Sequence, residues 1–379
     1  MEKVFNKFAA VAEYPYSRSV QWKKETGGKV IGCFPMLVPE EIIHAAGMLP
    51  VTLLGSDQAI TLADQYAHPY ICQLVRSNFD LSLKGELDIL DGVVFTDFCL
   101  TVQMMSDIWI YHKPDYFYHQ LILPKNVRAS YSMGNVLPYL DGLKAALEKL
   151  GGHEISESSL KKSISIYNEN RKLLHRLYEL RRDNPGLFRA RDIAVIVGAG
   201  MLMPKEEHSQ LLSQLLDQIQ GASASPDGKA RLVISGYLCD MPELEVLDLV
   251  EELGAVICDD DLYVGRRYFH TLADETLSPM EALAKRYIED VPCPTKIYTE
   301  KDFYFGDYLI NLAKEAKAEG VISVALKYCE SHLYDLPELE AELSKNKVPN
   351  LMLETSHIGA SGQFRTRIQA FLETLQGRD

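Results

Sequence analysis

Several classes of protein are excluded by what the sequence lacks. No segment reaches the roughly 18–20 uninterrupted apolar residues that a membrane-spanning helix requires. Residues 1–10 include Glu2, Lys3 and Lys7 and contain no apolar core of a secretory signal. We therefore expect a soluble, cytoplasmic protein that does not contact membranes.

Nucleotide-binding and hydrolase signatures are also missing. The chain has no Walker A sequence, no Gly-x-Ser-x-Gly and no His-Glu-x-x-His. The run Gly198-Ala199-Gly200 lacks the third glycine of a dinucleotide fingerprint and lies in a helical context. We expect neither ATP nor NAD to bind this chain, and the pattern identifies no catalytic acid or base.

The charge of the chain disfavours nucleic-acid partners. Its 39 Lys and Arg residues are outnumbered by 53 Asp and Glu residues, which gives a formal net charge of −14. Because the phosphate backbone of DNA and RNA is itself anionic, the mean field of such a protein repels it. We expect no nucleic-acid partner.

Seven cysteines are present, and no two of them form a Cys-x-x-Cys pair. An odd number of cysteines in a long chain without a secretory signal does not fit a disulfide framework. Their spacings also match no zinc ribbon or zinc finger. What remains open is whether some of the cysteines bind another metal group or whether all are buried side chains.

Alternating strands and helices indicate two α/β units, because strand–helix–strand order is typical of parallel sheets. In the first unit, strands are predicted at residues 29–33, 48–54, 93–95 and 116–123, and helices after Pro39 and at 79–90. In the second unit, strands are predicted at residues 232–235, 255–257, 321–326 and 351–353.

Between the two units the pattern is helical, and three helix-breaking sites divide it: Gly151-Gly152, Pro185-Gly186 and Pro204. Residues 221–229 have the composition of a linker. We therefore predict an N-terminal α/β domain at 1–136, a helical connecting layer at 137–220 and a C-terminal α/β domain at 221–379.

One sequence pattern occurs in both units. Residues 90–94 form an acidic-Gly turn and a buried strand before Cys99, and residues 318–322 form the same pattern before Cys329. In open parallel sheets, ligands bind beyond the carboxyl ends of the strands. Two facing Rossmann-like or flavodoxin-like sheets would therefore bring both cysteines into one interdomain crevice.

Three thiolates from Cys72, Cys99 and Cys329 would suffice to anchor an iron–sulfur cubane, leaving one iron for a ligand from outside the protein. The alternative is that these cysteines are small buried side chains, since free cysteine is among the most buried residue types. The chain would then be a non-redox scaffold subunit.

The other candidate residues are interpreted as structural. Cys33, Cys258 and Cys293 fit buried side chains, and Cys239 does so less clearly because it follows a strand end. Asp259-Asp260-Asp261 favours a solvated loop over a cation site. Four isolated histidines are expected at the surface or at helix caps: His44, His112, His119 and His208.

Residues 29–33 (Lys-Val-Ile-Gly-Cys) and 39–50 (Pro-Glu-Glu-Ile-Ile-His-Ala-Ala-Gly-Met-Leu-Pro) resemble the opening signature of the 2-hydroxyacyl-CoA dehydratase and benzoyl-CoA reductase family. The resemblance continues through residues 167–171 to the closing segment 365–371. It implies that Cys72, Cys99 and Cys329 bind a [4Fe-4S] cluster. Leu100 departs from the family pattern, which commonly has an aspartate after the second cysteine.

The resemblance also implies partners. It predicts a core with a homologous cluster-bearing subunit, a separate ATP-hydrolysing activator with its own [4Fe-4S] cluster, and ferredoxin as the electron source. The substrate would be an acyl-CoA or aryl-CoA thioester. In the dehydratases the electron forms a ketyl radical and is recycled, whereas in the reductases two electrons dearomatise the ring.

Of the two branches, we favour the small cluster-bearing subunit of benzoyl-CoA reductase. The segments that favour it are 177–185, 259–267 and Pro279, together with the absence of a His-Pro-Gln pattern in 117–125. A subunit of an (R)-2-hydroxyacyl-CoA dehydratase is the alternative. A double-cubane reductase is disfavoured, because the chain offers one obvious set of three cysteines.

Overall fold

The computed structural model describes residues 2–56, 58–127, 129, 131–224, 228–236, 244–296, 305–356 and 361–377. Within these residues the chain forms two four-stranded parallel sheets surrounded by helices. None of the helices in the described part of the chain is long and apolar enough to span a membrane. Cys239 and residues 225–227 of the predicted linker lie outside the described residues.

The N-terminal sheet has the strand order β2-β1-β3-β4, and all of its strands are parallel. The strands are β1 (Val30–Phe34), β2 (Leu49–Thr52), β3 (Gly92–Thr96) and β4 (Phe117–Leu121). The helices are α1 (Glu2–Glu13), α2 (Ser17–Thr26), α3 (Glu40–Ala45), α4 (Gln73–Leu83) and α5 (Leu100–His112). The four predicted strands are confirmed, but the helix predicted at 79–90 instead begins at Gln73 and ends at Leu83.

The helical segment contains four helices, which the predicted breakers separate. They are α6 (Ser132–Gly151), α7 (Glu157–Asp183), α8 (Ala190–Gly200) and α9 (Lys205–Gln218). Helix α6 ends at Gly151 and is capped by Gly152, whose φ of 72° is a left-handed conformation that glycine adopts without steric cost. Helix α7 begins after Ser156, whose hydroxyl accepts a hydrogen bond from the Ser159 backbone N–H.

The C-terminal sheet has the strand order β6-β5-β7-β8, again with all strands parallel. Its strands are β5 (Ala230–Gly236), β6 (Ala255–Asp261), β7 (Gly320–Leu326) and β8 (Asn350–Thr355). The helices of this region are α10 (Leu244–Glu252), α11 (Pro279–Ala284), α12 (Phe305–Glu315), α13 (Glu330–Lys345) and α14 (Ser361–Gln376). The predicted strands of this half are confirmed.

The two sheets have the same topology. In each, the second strand lies beside the first, and the third and fourth strands follow on the other side. The chain therefore reverses its direction of winding between the first and third strands, which is where open α/β sheets bind ligands. This arrangement confirms the predicted pair of flavodoxin-like parallel sheets, while the domain boundaries at residues 136 and 220 stay predictions.

The central strands of the two sheets are buried in the core. Every residue of β1, β3 and β7 is buried, as expected for parallel strands that are covered by helices on both faces. Gly92 begins β3 beside Phe117, and a Cβ at Gly92 would lie 2.3 Å from the Phe117 carbonyl oxygen. Glycine at this position therefore allows β3 and β4 to approach each other.

Candidate functional site

A cavity lies beyond the carboxyl ends of β1, β3 and β7 and is lined by residues from both α/β halves. Its empty volume, including the mouth that opens to solvent, is about 580 Å³. Cys72, Cys99 and Cys329 all line this cavity. The structure thus brings the three predicted residues together.

Each of these cysteines is the residue directly before a helix. Cys72 precedes α4, Cys99 precedes α5 and Cys329 precedes α13. The first backbone N–H groups of a helix have no partner within the helix, and its N-terminus carries partial positive charge. Three helix N-termini therefore place the positive ends of their dipoles at cysteines of one cavity, which favours thiolate and other anionic sulfur there.

Backbone N–H groups of the following turn favour negative charge on the sulfurs. Those of Thr101 and Val102 lower the pKa of Cys99, and that of His332 lowers the pKa of Cys329, although neither sulfur accepts a capping hydrogen bond. Hydrogen bonds to cluster sulfurs are one of the means by which a protein sets the potential of an iron–sulfur cluster. The helix starts therefore provide both the cysteines and the donors that stabilise their negative charge.

Burial keeps the thiols of Cys99 and Cys329 protonated when no metal is present. It raises the pKa of Cys329 to about 12 and raises the pKa of Cys99, although the backbone donors act in the opposite direction. A thiol with such a pKa becomes a thiolate when a metal replaces its proton. The cavity is therefore suited to metal-coordinating thiolates rather than to a free nucleophilic cysteine.

Two cations lie near the cysteines. The Lys125 ammonium donates to the Asp97 carbonyl oxygen, lies 3.7 Å from the Asp97 carboxylate and interacts electrostatically with Cys99. The guanidinium of Arg267 lowers the pKa of Cys329 electrostatically. Both cations favour negative charge on the cavity sulfurs.

The donor set of the cavity fits an iron–sulfur cluster. Cys72, Cys99 and Cys329 supply the soft thiolate ligands that such clusters take. No group of three or more His, Cys, Asp or Glu side chains among the residues that the structure describes could hold a single metal ion. The thiolates of a cluster bind different irons, so they do not converge on one atom as the ligands of a single ion do.

Cys293 also lines the cavity, although its sequence position between two prolines had indicated simple burial. Its side chain is 1% exposed, and its sulfur lies 2.9 Å from the Thr295 hydroxyl. Cys33 and Cys258 are buried as predicted and do not line the cavity. None of the six described cysteines forms a disulfide.

Exposed apolar side chains lie close in sequence to the cavity cysteines. Tyr70, Leu100 and Tyr334 are 67%, 73% and 82% exposed, and each lies within five residues of a cavity cysteine. The Tyr70 ring packs edge-on against Tyr328, which lines the cavity, with 5.4 Å between ring centroids. The N-terminal and C-terminal halves thus contact each other beside the cysteines.

The triple aspartate does not form the solvated loop that the sequence had favoured. Asp259, Asp260 and Asp261 are the last residues of β6, and all three are buried. Carboxylates at this depth require cationic partners, and arginines provide them. Four distances describe these pairs: Arg266 Nη2 to Asp259 Oδ2 at 2.5 Å, Arg181 Nη1 to Asp260 Oδ2 at 2.6 Å, and Arg267 Nε and Nη2 to the two Asp261 oxygens at 2.8 and 2.7 Å.

A second buried polar cluster joins α3 to the helical layer and the C-terminal half. Glu41 is fully buried and accepts hydrogen bonds from Arg171 of α7 and from the Tyr287 hydroxyl. Glu40 accepts from the Tyr268 hydroxyl at 2.9 Å, and Lys205 Nζ lies 3.4 Å from the same carboxylate. Arg171 lowers the pKa of Glu41 although burial raises it.

His208 is not the surface or capping residue that its isolation in the sequence had suggested. It is fully buried in α9, where Asn170 Nδ2 contacts its Nδ1 at 2.7 Å and the Ile196 carbonyl contacts its Nε2 at 2.9 Å. Burial lowers the pKa of His208 to about 3, so the ring is neutral. His208 is therefore a structural residue of the helical layer.

The chain is similar to known proteins over nearly its full length. The family model described as 2-hydroxyglutaryl-CoA dehydratase, D-component, matches residues 35–375. The (R)-phenyllactyl-CoA dehydratase beta subunit of Clostridium sporogenes is 30% identical over 375 residues, 99% of each chain. A subunit of benzoyl-CoA reductase from Thauera aromatica is 30% identical over 372 residues, 97% of this chain and 96% of that one. The lactoyl-CoA dehydratase subunit beta of Anaerotignum propionicum is 29% identical over 379 residues, 99% of each chain.

Proposed function

Because the chain belongs to the 2-hydroxyglutaryl-CoA dehydratase D-component family, we propose that it is the [4Fe-4S] subunit of a radical enzyme that acts on a CoA thioester. Cys72, Cys99 and Cys329 are the proposed cluster ligands. One observation carries the proposal: these cysteines are far apart in the sequence, yet they line one cavity between the two halves.

The residues of this chain have distinct tasks in the proposal. The three thiolates hold the cluster, and the N-termini of α4, α5 and α13 stabilise their negative charge. Burial of a cluster among apolar side chains excludes water and tunes its potential. The apolar residues that line this cavity include Met36, Leu74, Val75, Phe98 and Val102. When bound, a cluster at this site would supply single-electron transfer at low potential.

The proposal includes partners. The proteins similar to this chain are named as single subunits of their enzymes, so we propose a homologous cluster-bearing subunit beside it. The exposed Tyr70, Leu100 and Tyr334 near the cavity cysteines suit burial under such a subunit. A separate ATP-hydrolysing activator with its own cluster, supplied by ferredoxin, would deliver the electrons.

For the reaction itself, the first candidate is ferredoxin-dependent reduction of the ring of an aryl-CoA thioester, as in benzoyl-CoA reductase. Segments 177–185 and 117–125 support this branch. Segment 259–267 supports it less, because its aspartates and arginines form buried ion pairs that would stabilise either enzyme.

The second candidate is the radical elimination of water from an (R)-2-hydroxyacyl-CoA. The chain is 30% identical to the (R)-phenyllactyl-CoA dehydratase beta subunit, as it is to the benzoyl-CoA reductase subunit, so the two candidates have equal support from these relatives. The family model that matches this chain also carries a dehydratase description.

Anaerobic purification and reconstitution test the cluster proposal. The chain, supplied with iron and sulfide, is expected to bind about four of each and to give an EPR signal when it is reduced with dithionite. The triple variant Cys72→Ser/Cys99→Ser/Cys329→Ser should bind neither. A folded wild-type chain that stays colourless would contradict the proposal.

Turnover separates the two reactions. The chain is assembled with the homologous subunit and activator of its own genome, reduced, and given ATP with benzoyl-CoA or with (R)-phenyllactyl-CoA. Consumption of two electrons per benzoyl-CoA supports the reductase. Conversion of (R)-phenyllactyl-CoA to cinnamoyl-CoA with catalytic amounts of electrons supports the dehydratase.

A further inference from the structure

We infer that Cys293 is a fourth cluster-binding cysteine, so that each α/β half contributes two thiolates to one cluster. This inference rests on the proposed function, because it adds a ligand to the proposed cluster. With four cysteine ligands, no iron of the cluster is left for a ligand from outside the protein.

The shared topology of the two halves is the first observation that supports a role for Cys293. Cys99 and Cys329 occupy equivalent positions, since each follows the third strand of its sheet and precedes a helix. Cys72 lies between the second strand and α4, the helix that leads to the third strand. Cys293 lies between the second strand of its own sheet and α12, which likewise leads to the third strand. The four cysteines thus form two pairs with matching places in the chain.

The position of Cys293 in space agrees with this pairing. It lines the same cavity as the other three cysteines. Cys293 also interacts electrostatically with Cys329 and with Lys125, the lysine that interacts with Cys99. Arg267, which favours negative charge on Cys329, interacts with Cys293 as well. Lys125 and Arg267 therefore favour negative charge on cysteines of both pairs.

The segment around Cys293 holds the side chain in place. Pro292 and Pro294 fix their own φ angles on either side of the cysteine. Lys296 Nζ donates hydrogen bonds to the carbonyls of Tyr287 and Val291, at 3.0 and 2.5 Å. The Thr295 hydroxyl, 2.9 Å from the Cys293 sulfur, can donate to a coordinating thiolate. A pre-organised ligand of this kind loses little freedom when it binds iron.

His332 is another cavity residue whose side chain could bind the fourth iron. It lies in the first turn of α13, where its backbone N–H lowers the pKa of Cys329. Cysteine thiolate is the general cluster ligand, whereas imidazole replaces it in special cases. The pairing of cysteines in the two halves also has no counterpart for His332, so the structure favours Cys293.

Four thiolates would close the cluster of this subunit to substrate. The chain would then relay electrons, and the CoA thioester would react at a site on the homologous subunit. Closure has a chemical consequence that can be measured. On oxidation, a [4Fe-4S]²⁺ cluster with one iron not held by cysteine loses that iron as Fe²⁺, passes one electron to the oxidant and becomes [3Fe-4S]⁺.

The experiment uses the reconstituted full chain, its Cys293→Ala and His332→Ala variants, and Cys258→Ala as a matched control. Cys258 is a fully buried cysteine that does not line the cavity and contacts the Leu232 carbonyl. Each protein is treated with ferricyanide, and iron content and EPR are then measured. We expect the wild type, His332→Ala and Cys258→Ala to keep all their iron, and Cys293→Ala to lose about a quarter of it and to give a [3Fe-4S] signal.

The wild-type result alone can overturn the inference, whether or not the variants fold. A wild-type chain that holds a [4Fe-4S] cluster but loses about a quarter of its iron to ferricyanide and gives a [3Fe-4S] signal has an iron that Cys293 does not bind. Loss of iron from His332→Ala and not from Cys293→Ala would assign the fourth ligand to histidine. A wild-type chain that binds no cluster at all would instead overturn the proposed function and the inference with it.

Discussion

The two α/β halves share their strand order but differ in where they hold charge. Both sheets run second-first-third-fourth, and both place a cysteine between the third strand and the next helix. In the C-terminal half, β6 ends in three buried carboxylates that arginines neutralise, whereas β2 of the N-terminal half ends in the apolar Val51 and the buried, uncharged Thr52. The common topology positions the cysteines, and the ion pairs tie one half to the helical layer.

A second difference lies beside the cysteines. Glu330 follows Cys329 at the start of α13, whereas the exposed Leu100 follows Cys99 at the start of α5. An acidic residue in the first turn interacts favourably with the helix dipole. The positions of the cysteines are thus the same in both halves, while the residues next to them are not.

Removal of the equivalent cysteines should give the largest effect and should be equal in the two halves. Cys99→Ser and Cys329→Ser are each expected to lower cluster retention by at least about tenfold, since a lost ligand should cost no less than a lost supporting contact. Iron and sulfide analysis after reconstitution and gel filtration measures the retention. Cys33→Ala, which removes a buried cysteine outside the cavity, should keep the cluster. Full retention by one of the two serine variants would break the equivalence of the halves.

The second-largest effect is expected when a buried ion pair of the C-terminal half is broken. Arg267→Met leaves Asp261 buried without its bidentate partner, which should lower the free energy of unfolding by about 3–5 kcal/mol. Denaturant unfolding of the metal-free chain measures this change. Arg365→Met, which breaks the exposed pair with Glu252, should cost less than about 1 kcal/mol.

A double variant sharpens this result. Arg267→Met/Asp261→Leu removes both charges and should recover most of the lost stability, because the cost of breaking a buried pair is the uncompensated charge. If the single variant is as stable as the wild type, Asp261 does not depend on Arg267, and the importance assigned to this buried ion pair is wrong.

The pH dependence of stability should also differ between the two α/β halves. Burial, followed by the charges of Arg266 and Arg286, lowers the pKa of His270 to about 3. The folded protein therefore keeps this ring neutral, and its contribution to stability is complete above the unfolded pKa of about 6.5 and is lost as the pH falls towards 3. Between pH 7 and 5, the wild type should lose about 2 kcal/mol more than His270→Gln.

The N-terminal half provides the control for this effect. Burial alone lowers the pKa of His119 in β4, so His119→Gln should change the pH dependence less than His270→Gln does. Unfolding in urea at pH 7, 6 and 5 measures both slopes. Equal slopes for the wild type and His270→Gln would show that His270 is protonated in the folded protein.

The smallest effect is expected from making the two helix starts alike. Leu100→Glu gives α5 the acidic first residue that α13 has in Glu330, and Leu100 is 73% exposed, so nothing needs to repack. The helix dipole should then raise the free energy of unfolding by about 0.3–1 kcal/mol. Cluster retention should not change. A large loss of iron from this variant would instead assign Leu100 a role at the cavity.

Much of this architecture is predictable from local sequence. Strand periodicity and acidic-Gly turns predicted both sheets, and the pattern before Cys99 and Cys329 predicted their equivalence. The Arg181–Asp260 pair was not predictable, because its residues lie far apart in the sequence and become neighbours when α7 packs on β6. Cys293 was missed because prolines on both sides indicate a loop but not the cavity that the loop lines.

Anomalous diffraction at the iron absorption edge, from anaerobically grown crystals of the reconstituted chain, would locate the cluster directly. We predict one compact iron site inside the cavity, with bonds to the sulfurs of Cys72, Cys99 and Cys329. Crystals of the reconstituted protein that contain no iron in the cavity, or whose iron lies away from all three sulfurs, would contradict the proposed cluster site.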